Sequence, residues 1–253
     1  MKNAVFIPVR LASERLPQKA LSMVGGKPVL EHLVERMHQA ASIDQVVVCT
    51  TTLPDDDPLE ALCARSGAAI FRGSNEDLLQ RYCDAAKALS VTHIVNCDGD
   101  DVLMDAEQVD KIQAFLHETG CDYVRLEGLP LGANPLALTR DALERVCARK
   151  NQLDTATGWG IYFEQSDDFK VQVLQETDPA LCHPDIRMTL DYPEDLAFFT
   201  AVYEGLYRGI PVRMRDIIAW VNSHPEVKAL NTGLSEIYVA HFNSGQEGIQ
   251  DDV

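Results

Sequence analysis

The stretch Arg10-Leu-Ala-Ser13-Glu-Arg15-Leu-Pro17-Gln-Lys19 puts two guanidinium groups, a hydroxyl and an ammonium directly after the apolar run Ala4–Val9. Such donors converging in one loop suit a polyphosphate, because charge-assisted bonds to phosphate oxygens are strong and Arg makes them in pairs. Pro17 lacks an N–H and fixes φ, so it stiffens the turn that presents Lys19. A grip for a nucleoside triphosphate is expected. A second group, Asp98-Gly99-Asp100-Asp101, follows the apolar run Thr92–Cys97. Crowded carboxylates repel unless a cation neutralises them. Oxygen ligands beside a phosphate grip suit Mg²⁺, which takes one or two carboxylates together with waters and substrate phosphates. Gly99 is expected to let the backbone approach the nucleotide. The plain alternative is a solvated acidic turn.

Two further groups are less specific. In Met188-Thr-Leu-Asp191-Tyr-Pro193-Glu194-Asp195-Leu196, Glu194 and Asp195 suit a helix N-terminus through the macrodipole. Asp191 either caps that helix or joins Asp100 in a Mg²⁺ site. In Phe71-Arg72-Gly73-Ser74…Arg81-Tyr82, a glycine and a hydroxyl open a helix, where free N–H groups attract anions. Arg81 would support phosphate, pair with a carboxylate or form a surface salt bridge. No histidine stands out as a base: His32 and His38 fall in a helical pattern and His93 lies beside a strand.

These groups need elements that bring them to one edge. Strand-like runs at Ala4–Val9, Gln45–Thr51, Ala68–Phe71, Thr92–Cys97 and Asp122–Leu126 alternate with helical periodicity around Val29–Met37, Pro58–Ser66, Leu78–Ala86 (capped by Ser74 or Asn75) and Ala106–Thr119. That alternation predicts an α/β fold, a doubly wound and mainly parallel sheet. Loops leaving the carboxyl ends of parallel strands are where such sheets bind ligands. From 127 to 180 the rhythm weakens: a strand at Ala133–Leu138, a helix at Arg140–Arg149, a Thr/Gly/Trp segment at Thr155–Trp159 and a strand at Lys170–Gln175. This region is expected to be an insertion, a lid over the site or a dimer contact. Arg187–Leu190 should rejoin the sheet before helices at Pro193–Tyr207 and Met214–Asn222. Residues 1–242 read as a single domain and 243–253 as a disordered tail.

Composition narrows the function classes. The net charge of −17 argues against nucleic acid and anionic membranes as partners. Residues 1–90 hold ten Lys or Arg against eleven Asp or Glu, so nearly all the excess negative charge lies beyond them. No apolar run is long enough to span a bilayer. Seven cysteines without a C-x-x-C pair favour reduced thiols in a cytoplasmic protein.

The opening motif resembles that of the CMP-sugar-acid synthetases, cytidylyltransferases that activate 3-deoxy-octulosonate and sialic-acid-like sugars. The wider arrangement is similar to the spore-coat-polysaccharide branch, in which Arg-Gly-Ser…Asp…Arg-Tyr, Gly-Asp and Asp-x-Pro-Glu-Asp-Leu recur in this order. The resemblance covers about residues 4–210. It implies a Rossmann-like, GT-A-like nucleotidyltransferase fold and a homodimer. It also implies Mg²⁺-dependent transfer of CMP from CTP to a sugar hydroxyl, that of a 2-keto-3-deoxy acid, with release of pyrophosphate. By that similarity Arg10, Ser13, Arg15 and Lys19 hold the CTP phosphates, with Arg81 in support, and Gly73 and Ser74 lie near the cytidine. Asp100 and Asp191 bind Mg²⁺, and Arg15, Lys19 and Asp100 form the catalytic set. Three departures stand out. Val102 replaces the branch's usual Pro, Asn96 stands where Arg is common, and Asp154–Tyr162 replaces a Glu-His-Val-Thr-like segment where the acceptor would be read.

Three rival readings follow from the same residues. Asp98-Gly99-Asp100 also reads as the Asp-x-Asp motif of a GT-A glycosyltransferase, but such an enzyme has no leaving pyrophosphate to need the Arg10–Lys19 loop. A nucleotidyltransferase acting on a sugar phosphate, or using another NTP, is the second. The third is a non-catalytic nucleotide-binding relative, disfavoured because Lys19, Asp100 and Asp191 are all retained.

Overall fold

The computed structural model describes residues 1–13, 15–155, 157–235 and 237; the tail expected at 243–253 lies outside them. The strands are β1 (Asn3–Pro8), β2 (Met23–Val24), β3 (Lys27–Pro28), β4 (Gln45–Thr51), β5 (Ala69–Gly73), β6 (His93–Asn96), β7 (Tyr123–Glu127), β8 (Leu136–Thr139) and β9 (Val171–Gln175). The helices are α1 (Val29–Met37), α2 (Pro58–Ser66), α3 (Leu78–Ala88), α4 (Ala106–Thr119), α5 (Arg140–Arg149), α6 (Ile161–Glu164), α7 (Pro193–Leu206), α8 (Met214–Ser223) and α9 (Pro225–Lys228). One seven-stranded sheet runs in the order β5-β4-β1-β6-β8-β7-β9. Its neighbours pair in parallel except β8, which is antiparallel to both β6 and β7. The mainly parallel, doubly wound expectation therefore holds.

The two-residue period of a strand explains the layers. In β1, Val5 and Ile7 face a core with Leu30 and Leu33 of α1, Leu59 of α2, Ile112 of α4 and Phe198 of α7. Ala4 and Phe6 face the other core, with Leu79 and Tyr82 of α3, Leu143 of α5 and Phe163 of α6. A strand covered on both faces is apolar at successive positions, which is why β1 and β4 read as unbroken runs. All seven cysteines are free thiols, five of them buried. Among the described residues no helix is long and apolar enough to cross a membrane.

Three expectations need correction. First, the insertion expected at 127–180 does not stand apart from the sheet: β8 and β9 are members of it, and β8 sits beside β6 near its middle. The rhythm weakens there because β8 returns antiparallel without a crossover helix. Second, Arg187–Leu190 does not rejoin the sheet but makes an isolated parallel bridge, Leu131 to Arg187. Gly132 (φ +85°) turns the chain there, and a Cβ on it would lie 2.6 Å from the Thr189 nitrogen. Third, α3 is capped by Asp77, whose carboxylate accepts from the Gln80 N–H at 3.0 Å, while Ser74 Oγ accepts from the Asp77 N–H at 3.1 Å.

Candidate active site

The loops after β1 and β6, the end of β7 and the start of the antiparallel β8 open on one cavity of about 950 Å³. This is the carboxyl edge of the parallel strands, where ligands of open sheets bind. Arg10, Ser13, Arg15, Lys19, Arg81, Asp98, Gly99, Asp100 and Asp191 line it, and among the described lining residues there is no histidine. Gly73 and Ser74 are not part of the lining.

Buried hydrogen bonds shape the cationic loop. Asp56, at the end of the β4 turn, accepts from the Leu11 N–H at 2.7 Å and from the hydroxyls of Thr50 and Thr51. The Gln18 N–H returns to the Leu11 carbonyl at 3.1 Å, and Gln18 itself is left-handed (φ 55°). The closed turn delivers Lys19 inward. Gly99 serves a close approach, though to protein: a Cβ on it would sit 2.8 Å from the Pro8 carbonyl oxygen and 2.7 Å from Val9. The β6 loop can press on the end of β1 only without a side chain there.

The loop meets the aspartates directly. The Lys19 Nζ donates to Asp100 Oδ2 at 2.6 Å and to Asp191 Oδ1 at 3.1 Å. Arg15 Nη2 donates to Asp191 Oδ1 at 2.7 Å. From the other side Arg187, buried, donates to Asp191 Oδ2 at 3.0 Å and to Asp195 Oδ1 at 2.8 Å. Asp191 is no helix cap. Asp195 takes that part, accepting the N–H groups of Asp191 and Tyr192 at 2.9 and 3.0 Å, with Asn231 donating to it as well. Burial pushes the Asp191 carboxyl up, but the charges of Lys19 and Arg15 outweigh it and hold the group below the ordinary carboxylate value. Burial likewise lowers the Lys19 ammonium, and Asp100 and Asp191 more than restore it.

No salt bridge among the described residues relieves Asp98 or Asp101. Asp98, Asp100 and Asp101 bring oxygens within 4.8 Å of one another. Asp98 is exposed at the cavity; desolvation by the walls first, then the Asp100 charge, pushes its carboxyl up to about 6. Asn96 opposes this, donating to Asp98 Oδ1 at 3.1 Å. Asp101 is pushed well up by the same causes in the same order. The clustered oxygens of Asp98, Asp100 and Asp101, with Asp191 across the Lys19 ammonium from Asp100, are the all-oxygen donor chemistry that Mg²⁺ takes.

The remaining candidates divide. Arg10 is exposed at the cavity and no carboxylate among the described residues pairs with it, so its charge is available to a ligand. Arg81 is buried and, among the described residues, forms no salt bridge: its guanidinium donates to the carbonyls of Ser74 at 2.8 Å, Asn75 at 3.2 Å and Cys49 at 3.4 Å. It ties the β5–α3 turn to β4. Gly73 leaves room for it, since a Cβ there would be 3.1 Å from Arg81 Cγ. Sequence reasoning missed Asp56, which looks solvated inside Asp55-Asp56-Asp57, and Arg187, which belongs to no motif. It also missed Arg125, Glu127 and Glu164 on the far wall. A usable signal existed for the first two of these: polar residues two apart on an otherwise apolar strand face the same side.

The model of the cytidylyltransferase family matches residues 4–207. The spore coat polysaccharide biosynthesis protein SpsF of Bacillus subtilis is 29% identical over 235 residues, spanning 89% of this chain and 97% of the relative. A 3-deoxy-manno-octulosonate cytidylyltransferase of Anaeromyxobacter dehalogenans is 35% identical over 212 residues, 81% of this chain and 80% of that protein. The solved structure of a cytidylyltransferase from Leptospira borgpetersenii superposes with a TM-score of 0.81 at 25% identity, covering 90% of this chain and 97% of that one. The match runs through the cationic loop and both aspartates that meet it, and the chain belongs to the cytidylyltransferase family, a family of nucleotidyl-transferring enzymes.

Proposed function

We propose that the protein transfers CMP from CTP to a hydroxyl of a 2-keto-3-deoxy sugar acid, with Mg²⁺ held at Asp100 and Asp191 and pyrophosphate released. The observation that carries this is Lys19 lodged between Asp100 and Asp191 with Arg15 beside it. The acceptor oxygen forms a bond to the α-phosphorus as the bond to the bridging oxygen breaks, so negative charge grows on the leaving pyrophosphate. Arg15 and Lys19 are the donors suited to that charge once a cation at Asp100 and Asp191 frees them from those carboxylates. Arg10, which no carboxylate among the described residues pairs with, adds affinity for the triphosphate. Ser13 supplies a hydroxyl to the same loop. Arg81 lines the cavity and holds the Ser74 carbonyl, so that Arg81, with Gly73 and Ser74 behind it, forms the wall on the cytidine's side. When bound, Mg²⁺ neutralises phosphate oxygens and lowers the pKa of the attacking hydroxyl.

The test is pyrophosphate release with each NTP against a panel of 2-keto sugar acids and sugar phosphates, with and without Mg²⁺. Release that requires CTP, a 2-keto acid and Mg²⁺ is expected. Turnover confined to sugar phosphates, or indifferent to chelation of the metal, would overturn the reading.

A further inference from the structure

Opposite the cationic loop the cavity has a different wall. The period of β7 sends Tyr123, Arg125 and Glu127 to one side of the strand, and α6 ends against them with Glu164. Arg125 Nε donates to Glu127 Oε1 at 2.7 Å, and its Nη1 lies 2.8 Å from Glu164 Oε1. The three side chains are 35%, 45% and 32% exposed, so the group is built yet reachable. Tyr123 and Trp159 sit behind it, ring centroids 6.4 Å apart, and the Tyr123 hydroxyl bonds Glu164. Gly160 admits this packing, since a Cβ there would lie 2.7 Å from the Tyr123 oxygen.

The charge count decides what this wall accepts. One arginine between two glutamates is net negative, and Asp98 faces the same cavity. A phosphate dianion would meet more repulsion than attraction. A carboxylate carries a single charge and can take the guanidinium N–H groups left over from its five donors. Glutamate oxygens accept from sugar hydroxyls, and the aromatic pair covers an apolar ring face.

We infer that Arg125, clamped by Glu127 and Glu164, reads the acceptor: Arg125 binds its carboxylate, the glutamates bind its hydroxyls, and their charge excludes phosphate monoesters. This rests on cytidylyl transfer to a sugar hydroxyl, as proposed above. The experiment measures pyrophosphate release from CTP with 3-deoxy-manno-octulosonate and N-acetylneuraminate, with their methyl esters and with glucose 1-phosphate, in wild type, Arg125→Gln and Glu127→Gln/Glu164→Gln. Arg125→Gln should raise the acceptor KM about tenfold or more for the acids, as loss of a charge-assisted bond predicts, and leave the CTP KM nearly unchanged. The esters should bind wild type weakly and lose little more in the variant. The double glutamate variant should bind the acids more tightly and become inhibited by glucose 1-phosphate. Equal losses for acid and ester in Arg125→Gln, or an equal rise in the CTP KM, would overturn the assignment while leaving cytidylyl transfer intact. Failure of wild type to release pyrophosphate with either acid would overturn both.

Discussion

The two ends of the cavity spend their arginines in opposite ways. At the β1 loop Arg10 has no carboxylate partner among the described residues, and Arg15 and Lys19 lean on aspartates that a bound cation would also claim. On β7, Arg125 is engaged by two glutamates at once. Available cations suit a ligand with several charges; a neutralised one suits a ligand with few. On the proposed reading, the first end takes the triphosphate and the second the polyhydroxy acid.

The sharpest way to break that contrast is at Asp191. Its carboxylate is the shared counter-charge of Arg15, Lys19 and Arg187. Asp191→Ala leaves Arg15 without its carboxylate and takes one of two from Lys19 and the buried Arg187, which keep Asp100 and Asp195, and should destabilise the protein by about 3 kcal/mol in urea unfolding. A loss under ~1 kcal/mol would mean that the cationic end does not depend on it. Lys19→Ala comes next. It should lower kcat for pyrophosphate release about 10²–10³-fold, with the unfolding midpoint little moved. The same variant should bind Mn²⁺ more tightly than wild type when CTP is absent, read by the loss of free-ion EPR signal, because the ammonium no longer occupies the space between Asp100 and Asp191.

Proton linkage provides a third test. Asp98, raised to about 6 in the fold, is protonated below that value, so its contribution to stability is full below the unfolded carboxylate range and lost as pH rises through about 6. Asp191 runs the other way. Its value is lowered, so its contribution is present above the unfolded range and is lost only as pH falls through the lowered value. Mg²⁺ competes with the Asp98 proton and should therefore raise Tm clearly at pH 7 and hardly at pH 5, a difference of about 1.4 kcal/mol per pH unit for one proton displaced. An equal shift at both values would remove Asp98 from the metal's surroundings.

The smallest expected effect lies behind the acceptor wall. Thr155 Oγ1 accepts from the Leu79 N–H at 3.1 Å and donates to Asp77 at 3.0 Å, pinning the segment that leads to Trp159 onto α3. Thr155→Val should cost about 1 kcal/mol and raise the acceptor KM with little change for CTP. A larger change for CTP would show that the two ends are not separable.

Much of this was legible before any coordinates. The strands β1 and β4 announce themselves because burial on both faces leaves almost no polar position to blur the pattern, while β5, β6 and β7 stand out as shorter apolar runs despite Arg72, His93, Arg125 and Glu127. Arg10, Arg15 and Lys19 stand out for the opposite reason, since three cations beside an apolar strand cannot belong to a core. Asp191 was visible as a candidate, but whether it capped a helix or faced a ligand was open. Only the fold answers that, by giving the cap to Asp195 and burying Arg187 against both. Gly73 and Ser74 looked like part of a binding edge, yet neither lines the cavity; Arg81, which does, donates to the Ser74 carbonyl.

The order of residues along this chain determined the alternation of elements and the short motifs, because both are local: periodicity, a stiff proline turn, charges crowded within a few positions. The tertiary structure alone decided which charges neutralise which. Lys19 and Asp191 are 172 residues apart and Arg125 and Glu164 sit on different elements. Electrostatic energy depends on distance through space and on how much water is excluded, and neither quantity is written in sequence spacing.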